Sequence, residues 1–100
     1  MERKEVIEQA VEFAKGFKGN RIDTEEHMII IPFGKDTTEE EVMGEGMLGK
    51  WFADNGFDIT FSTGDIEYMT KGGWMNYSGW VKESGHKAYL RNRLIATITW

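Results

Sequence analysis

The chain has 100 residues, a formal net charge of −5 and no cysteine. Its length suits a single domain, residues 1–100, and a composition with 40% apolar and 13% aromatic residues excludes a disordered chain. Without cysteine the chain can form neither a disulfide framework nor a thiolate metal site, which favours a reducing compartment. The N-terminal segment is amphipathic, so we expect no signal peptide and no membrane span, and we predict a cytoplasmic protein.

The charge is unevenly distributed along the chain. Residues 1–66 contain 7 Lys or Arg against 15 Asp or Glu, a net charge of −8. Residues 67–100 contain 5 Lys or Arg against 2 Asp or Glu, a net charge of +3. The pattern predicts an acidic body with a basic C-terminal sheet.

The first predicted element is an amphipathic helix from Glu2 to Lys18. Its apolar residues recur at the i, i+3, i+4, i+7 spacing of a helix that faces a core, and they are Val6, Ile7, Ala10, Val11, Phe13, Ala14 and Phe17. Its polar face is rich in glutamate, which disfavours binding to an anionic membrane. Gly19 and Asn20 end the helix, and the polar stretch Arg21 to Glu26 is predicted to be a loop.

A buried strand and a second helix follow. The run Met28 to Ile31 is typical of a strand that is buried on both faces, and Pro32 is expected at its end or at a sheet edge. This leaves the position of the strand in the sheet open. Thr38 and Glu41 form a capping box that starts a second helix, which ends at Asn55-Gly56. Three glycines inside this helix predict that it is weak, kinked or closely packed.

From Phe57 onward the apolar period changes to two, which indicates strands. Predicted turns at Thr63 to Asp65, Gly72-Gly73 and Ser84-Gly85 divide this part of the chain into a four-stranded antiparallel meander. The three turns place one apolar side of every strand on the same face. The predicted fold is therefore α+β, with two helices packed on a mainly antiparallel sheet of about five strands, in the order helix-strand-helix-strand-strand-strand-strand.

The opposite face of this meander is the predicted binding surface. In the predicted register Trp80 lies opposite Tyr89, Ser78 opposite Arg91, and Asn76 opposite Arg93. Tryptophan, tyrosine and arginine are enriched at interaction hot spots. The candidate partner-binding residues are Trp74, Asn76, Trp80, Tyr89, Arg91 and Arg93. The pattern leaves open whether this face is exposed or forms a second core layer, since cross-strand aromatic pairs stabilise sheets regardless of function.

No motif in the sequence specifies a reaction. Gly44 to Gly49 matches the G-x-G-x-x-G spacing of dinucleotide-binding loops, but it lies inside a predicted helix and among glutamates, so we interpret it as a packing or kink feature. His27 and His86 are the only histidines and lack the spacing of metal ligands. The acidic residues between Asp36 and Glu45 are explained by a solvated helix start. We therefore predict no catalytic residues, no metal and no cofactor.

Three hypotheses for function follow. The first is a small protein-interaction module, an inhibitor or regulator, that acts as a monomer or homodimer and binds a protein partner through the aromatic and arginine face. The second is binding of single-stranded nucleic acid on the same face, which the overall negative charge disfavours. The third is a small enzyme or ligand pocket between helices and sheet, with Trp51, Tyr68 and Tyr77 as lining and His27 or His86 as acid or base.

Overall fold

The computed structural model of the chain describes residues 2–69, 72–76, 79–83 and 87–100, with only the backbone of segments 72–76 and 79–83 described. In chain order the elements are α1 (Arg3–Lys15), β1 (Arg21–Asp23), β2 (Met28–Pro32), α2 (Glu39–Val42), α3 (Leu48–Asp54), β3 (Asp58–Met69), β4 (Gly72–Asn76), β5 (Gly79–Glu83) and β6 (Lys87–Thr99). The predicted α+β class is confirmed. The predicted first helix is confirmed to within three residues at its C-terminal end.

The main sheet is antiparallel and has the strand order β1-β2-β6-β3. Strand β6 lies inside it, with Ile98 paired to Ile29 on one side and to Ile59 on the other. The position of β2, which the sequence left open, is interior, between β1 and β6. Pro32 ends β2 opposite Ile95, as expected for a residue that cannot donate to the ladder. The prediction that Arg21 to Glu26 is entirely loop is wrong, because β1 extends the sheet by a short edge strand.

The helices form the core with one face of this sheet. Helix α1 contributes Val6, Ala10 and Ala14 to a cluster that also contains Val42 of α2 and Phe52 of α3. The sheet contributes alternate residues of its two interior strands, which are Ile29, Ile31, Ala96 and Ile98. The alternation predicted for the last strand is therefore confirmed from Leu94 to Trp100, where the even-numbered residues contact the core.

The predicted second helix is two short helices joined at Met43 to Met47. Its predicted start is confirmed, because the Thr38 hydroxyl accepts a hydrogen bond of 3.3 Å from the Glu41 amide. The break occurs where Gly46 has a φ of 75°, a conformation outside the helical region. Gly49 lets α3 approach α2, since a Cβ atom there would lie 2.7 Å from Val42 Cγ1. The glycine-rich segment is thus both a break and a close packing contact.

The predicted four-stranded meander is wrong in its pairing. Strand β3 runs without a turn through Thr63 to Asp65, and along its whole length it pairs with β6. Gly72 and Gly73 are not a hairpin loop, because they pair with Glu83 and Lys82 in a separate two-stranded ladder. Strands β4 and β5 therefore pair with each other, and β5 belongs to a different sheet from β6. The predicted Ser84-Gly85 loop lies outside the described residues.

A β-bulge divides the β3–β6 pair. Gly64 pairs with Arg93 and Ile66 pairs with Leu90, so Asp65 alone faces the two residues Arg91 and Asn92. Asn92 has a φ of 54°, a left-handed conformation that asparagine tolerates better than most residues. The extra residue reverses the alternation of side chains along β6. Leu90 consequently lies on the opposite side of the strand from Leu94, which corrects the predicted continuous apolar face.

Candidate functional site

Beyond the bulge, β3 and β6 continue as a two-stranded ribbon, which we define as residues 65–69 paired with residues 87–92. Alternation of side chains gives the ribbon two faces. The outer ribbon face carries Asp65, Glu67, Met69, Lys87, Tyr89 and Arg91. The inner ribbon face carries Ile66, Tyr68, Ala88 and Leu90, and all four of these residues are half-buried.

Two ion pairs and a cation–π contact order the outer ribbon face. Lys87 Nζ lies 3.3 Å from Glu67 Oε1, and Arg91 Nη1 lies 3.6 Å from Asp65 Oδ2. The Arg91 guanidinium carbon also lies 5.0 Å from the centre of the Tyr89 ring. These cross-strand and same-strand contacts hold the Tyr89 ring between two charged pairs. The four charged groups cancel, so the described outer face has no net charge.

The same face exposes two large apolar side chains. Met69 is 59% exposed and Tyr89 is 50% exposed. Tyr89 pairs with Glu67, two residues before Met69, which places Tyr89 and Met69 diagonally across the two strands. Tyrosine, methionine and arginine are the residue types enriched at protein interfaces. The arrangement is therefore a small aromatic and sulfur-bearing patch with a charged border.

The structure brings together only part of the predicted binding residues. Tyr89 and Arg91 share the outer ribbon face, whereas the bulge sends Arg93 to the inner side, where its Nη1 donates a hydrogen bond of 3.3 Å to the Phe33 carbonyl. The predicted pairing of Trp80 with Tyr89 is wrong, because Tyr89 pairs with Glu67 and Trp80 with Met75. Asn76, which was predicted opposite Arg93, pairs instead with Gly79, and Trp74 pairs with Val81.

The inner ribbon face packs against the loop that follows α1. A Cβ atom added to Gly19 would lie 3.1 Å from Ile66 Cγ2 and 3.2 Å from Leu90 Cδ1. A pocket of about 390 Å³ opens beside this contact. We call it the Arg93 pocket, and its side-chain lining includes Phe17, Lys18, Phe33, Tyr68, Leu90 and Arg93.

The described residues proposed for a catalytic pocket do not share one cavity. Trp51 packs edge-on against Phe13 at 5.0 Å between ring centres, while Tyr68 lies on the inner ribbon face. His27 is exposed, stacks on the Trp100 ring at 5.7 Å and bonds its carbonyl through Nδ1 at 3.1 Å. A carbonyl oxygen only accepts, so Nδ1 carries the proton in this contact. Tyr77 and His86 lie outside the described residues.

The remaining sequence motifs also have structural explanations. The G-x-G-x-x-G spacing spans the α2–α3 break and does not follow a strand, so it lacks the context of a phosphate-binding loop. Within the described part of the chain, no three His, Asp or Glu side chains gather as a metal site. None of the described helices has the length and apolar character needed to cross a membrane.

Sequence reasoning missed the acidic residues of the outer ribbon face, Asp65 and Glu67, and the contribution of Lys18 to the Arg93 pocket. The predicted turns put Asp65 inside a loop and Glu67 on a strand that pairs across Gly72-Gly73, so neither is predicted to face β6. Asn92 was the available signal, since an asparagine in an apolar alternation marks a candidate bulge.

No family model matches the chain, and no curated protein or solved structure gives a match either.

Proposed function

We propose that the protein is a small interaction module that binds a protein partner through the outer ribbon face. The observation that carries the proposal is the exposed Tyr89 ring, which Arg91 contacts from one side and which lies diagonal to exposed Met69. When a partner covers an exposed ring or thioether, apolar area is removed from water, which stabilises the complex. A few such residues dominate measured binding energies.

The charge of the described surface favours a protein partner over single-stranded nucleic acid. Arg91 and Lys87 are each paired with a carboxylate of β3, at 3.6 and 3.3 Å. Phosphate binding requires cations that are available to replace counterions. Two neutralised pairs beside an aromatic ring instead match the mixed-charge border of a protein interface.

The proposal keeps Trp74, Asn76 and Trp80 as further contact residues on β4 and β5, whose residues lie between the two ribbon strands in the chain. It replaces Arg93 by Met69, since Arg93 lies on the inner side of β6. It also retains the predicted role of a cytoplasmic inhibitor or regulator that acts as a monomer or homodimer.

Affinity capture with a matched control tests the proposal. The variant carries Tyr89→Ala and Arg91→Ala. The control carries Met47→Ala and Lys15→Ala, which also removes one half-exposed apolar side chain and one cation of an exposed ion pair. Each tagged protein is incubated with lysate of the source cell, and captured proteins are identified by mass spectrometry and then titrated in purified form.

A partner that binds wild type and control, and binds the Tyr89/Arg91 variant at least tenfold more weakly, supports the proposal. This threshold corresponds to about 1.4 kcal/mol, above the loss of about 1 kcal/mol that most single interface residues do not reach. Equal binding of the same purified partner to all three proteins contradicts it. Circular dichroism of the variant must match wild type, which both substitutions permit because the two side chains are at least half exposed.

A further inference from the structure

Among the described side chains, the Arg93 guanidinium has no acidic partner. Arg93 is half-buried, and its Nε atom is buried with no hydrogen-bond partner. Among the described residues its one hydrogen bond goes to the neutral Phe33 carbonyl, at 3.3 Å, and no carboxylate lies within ion-pair distance. A partly desolvated guanidinium with five N–H donors is costly when it is so incompletely paired.

The pocket beside this group contains cations and no acid. Its described lining includes Lys18 and Arg93 and contains no Asp or Glu. Tyr68 adds a phenol, and the remaining wall is apolar, formed by Phe17, Pro32 and Leu90 among others. The pocket is therefore a local positive site with one hydrophobic side, in a protein whose net charge is −5.

The end of α1 does not oppose an anion strongly at this position. Its last carbonyl groups are already used, since Phe13 and Ala14 accept from the amides of Gly16 and Phe17. The Phe17 carbonyl accepts a hydrogen bond of 2.6 Å from the Asn20 side chain. These bonds reduce the negative potential that free carbonyl groups would present at a helix C-terminus.

We propose that the Arg93 pocket binds a small molecule that carries an oxyanion, a carboxylate or a phosphate ester, on an apolar body. The oxyanion pairs with Arg93 and Lys18, and the apolar body lies against Phe17 and Leu90. A volume of about 390 Å³ limits the ligand to a small metabolite. This site is on the inner side of the ribbon and does not depend on the interaction surface proposed above.

Titrations followed by amide chemical shifts of the labelled protein test the site. The probes are phenyl phosphate and benzoate, with inorganic phosphate and neutral benzyl alcohol as the two halves of the expected ligand. Lys18→Gln removes an exposed cation of the pocket, and Arg93→Gln removes the buried one. Lys15→Gln is the matched control, because Lys15 is three residues away, pairs with Glu12 at 3.0 Å and does not line the pocket.

We expect phenyl phosphate, benzoate or both to shift the amides of Lys18 and Gly34 in a saturable manner, and to do so at lower concentration than either half-probe. Lys18→Gln should weaken binding about threefold and Arg93→Gln at least tenfold, while Lys15→Gln leaves it unchanged. Which of the two probes binds more tightly distinguishes a carboxylate from a phosphate-ester ligand.

If neither phenyl phosphate nor benzoate gives saturable shifts at 10 mM, a concentration about tenfold above a millimolar Kd, the proposal is overturned. Equal affinity for benzyl alcohol would overturn the role of the cations, and equal affinity for inorganic phosphate would overturn the role of the apolar wall. If Arg93→Gln fails to fold, Lys18→Gln against Lys15→Gln still decides, because both lysines are exposed.

Discussion

The two halves of the β3–β6 pair differ in what covers them. On the body side of the bulge, Ile98 and the Phe52 side chain above it are completely buried. On the ribbon side no described residue is fully buried, and the four inner residues are only half-buried. One continuous pair of strands thus supplies a core at one end and accessible surface at the other. Buried core and exposed surface are therefore separated along the same two strands, at the bulge.

The largest expected effect is in the body. Phe52→Ala should lower the free energy of unfolding by about 3 to 5 kcal/mol, because it removes a fully buried ring that contacts Trp51 and Phe57. Urea denaturation followed by tryptophan fluorescence measures the change. Phe13→Ala is the control, since Phe13 also contacts Trp51 but is 37% exposed, and it should cost about 1 kcal/mol. Similar losses for the two variants would contradict the core described here.

The next effect tests the close approach of α2 and α3. Gly49→Ala places a Cβ atom 2.7 Å from both Met43 Sδ and Val42 Cγ1 and 2.8 Å from the Val42 carbonyl oxygen. We expect a net loss of about 1 to 2 kcal/mol, because three close contacts should bring overpacking to about 2 to 3 kcal/mol and the gain in helix propensity offsets only about 1 kcal/mol. Gly44→Ala meets its nearest atom at 3.4 Å and should change stability little. Stabilisation by Gly49→Ala would show that the helices do not pack this closely.

The bulge itself is tested at Asn92. Asn92→Ala should cost about 1 kcal/mol, because alanine is disfavoured at a φ of 54°. Asn92→Gly should be near neutral, and the backbone bond of 2.9 Å to Asp65 Oδ1 remains in both variants. Thermal unfolding gives the stabilities, and hydrogen exchange of the ribbon amides locates the change. Equal effects of alanine and glycine would argue against the left-handed conformation.

The smallest effect on stability is expected on the outer ribbon face. Arg91→Ala should change the free energy of unfolding by no more than about 0.5 kcal/mol, since its ion pair with Asp65 is exposed and screened by solvent. Lys15→Ala, which breaks an exposed pair of similar kind, should match it. A loss above 1.5 kcal/mol would mean that Arg91 supports the fold, and the proposed surface would then be structural.

Local sequence signals predicted the elements well where only neighbouring residues decide them. The apolar spacing from Val6 to Phe17 identified α1, and the Thr38 capping box located the start of α2. The strand at Met28 to Ile31 and its end at Pro32 followed from composition and the missing donor. These features depend on contacts between residues a few positions apart, which a pattern in the chain contains directly.

The candidate site was predicted only in part, for a physical reason. Tyr89 and Arg91 were selected correctly as neighbours on one face of one strand, but their acidic partners and the separation of Arg93 depend on which strand lies opposite. Glycine permits a turn without requiring one, so Gly64, Gly72 and Gly73 were compatible with hairpin loops and with extended strands.

The sequence by itself determined the class of fold, the first helix and the alternation that buries Leu94 to Trp100. Tertiary structure decided the long β3–β6 pairing, the bulge at Asn92 and the resulting two faces of the ribbon. The physical reason is that strand pairing is non-local. The register of a strand pair minimises the exposed apolar area of the whole sheet. The position of the one extra residue in β6 is therefore fixed only when both strands and the loop after α1 pack together.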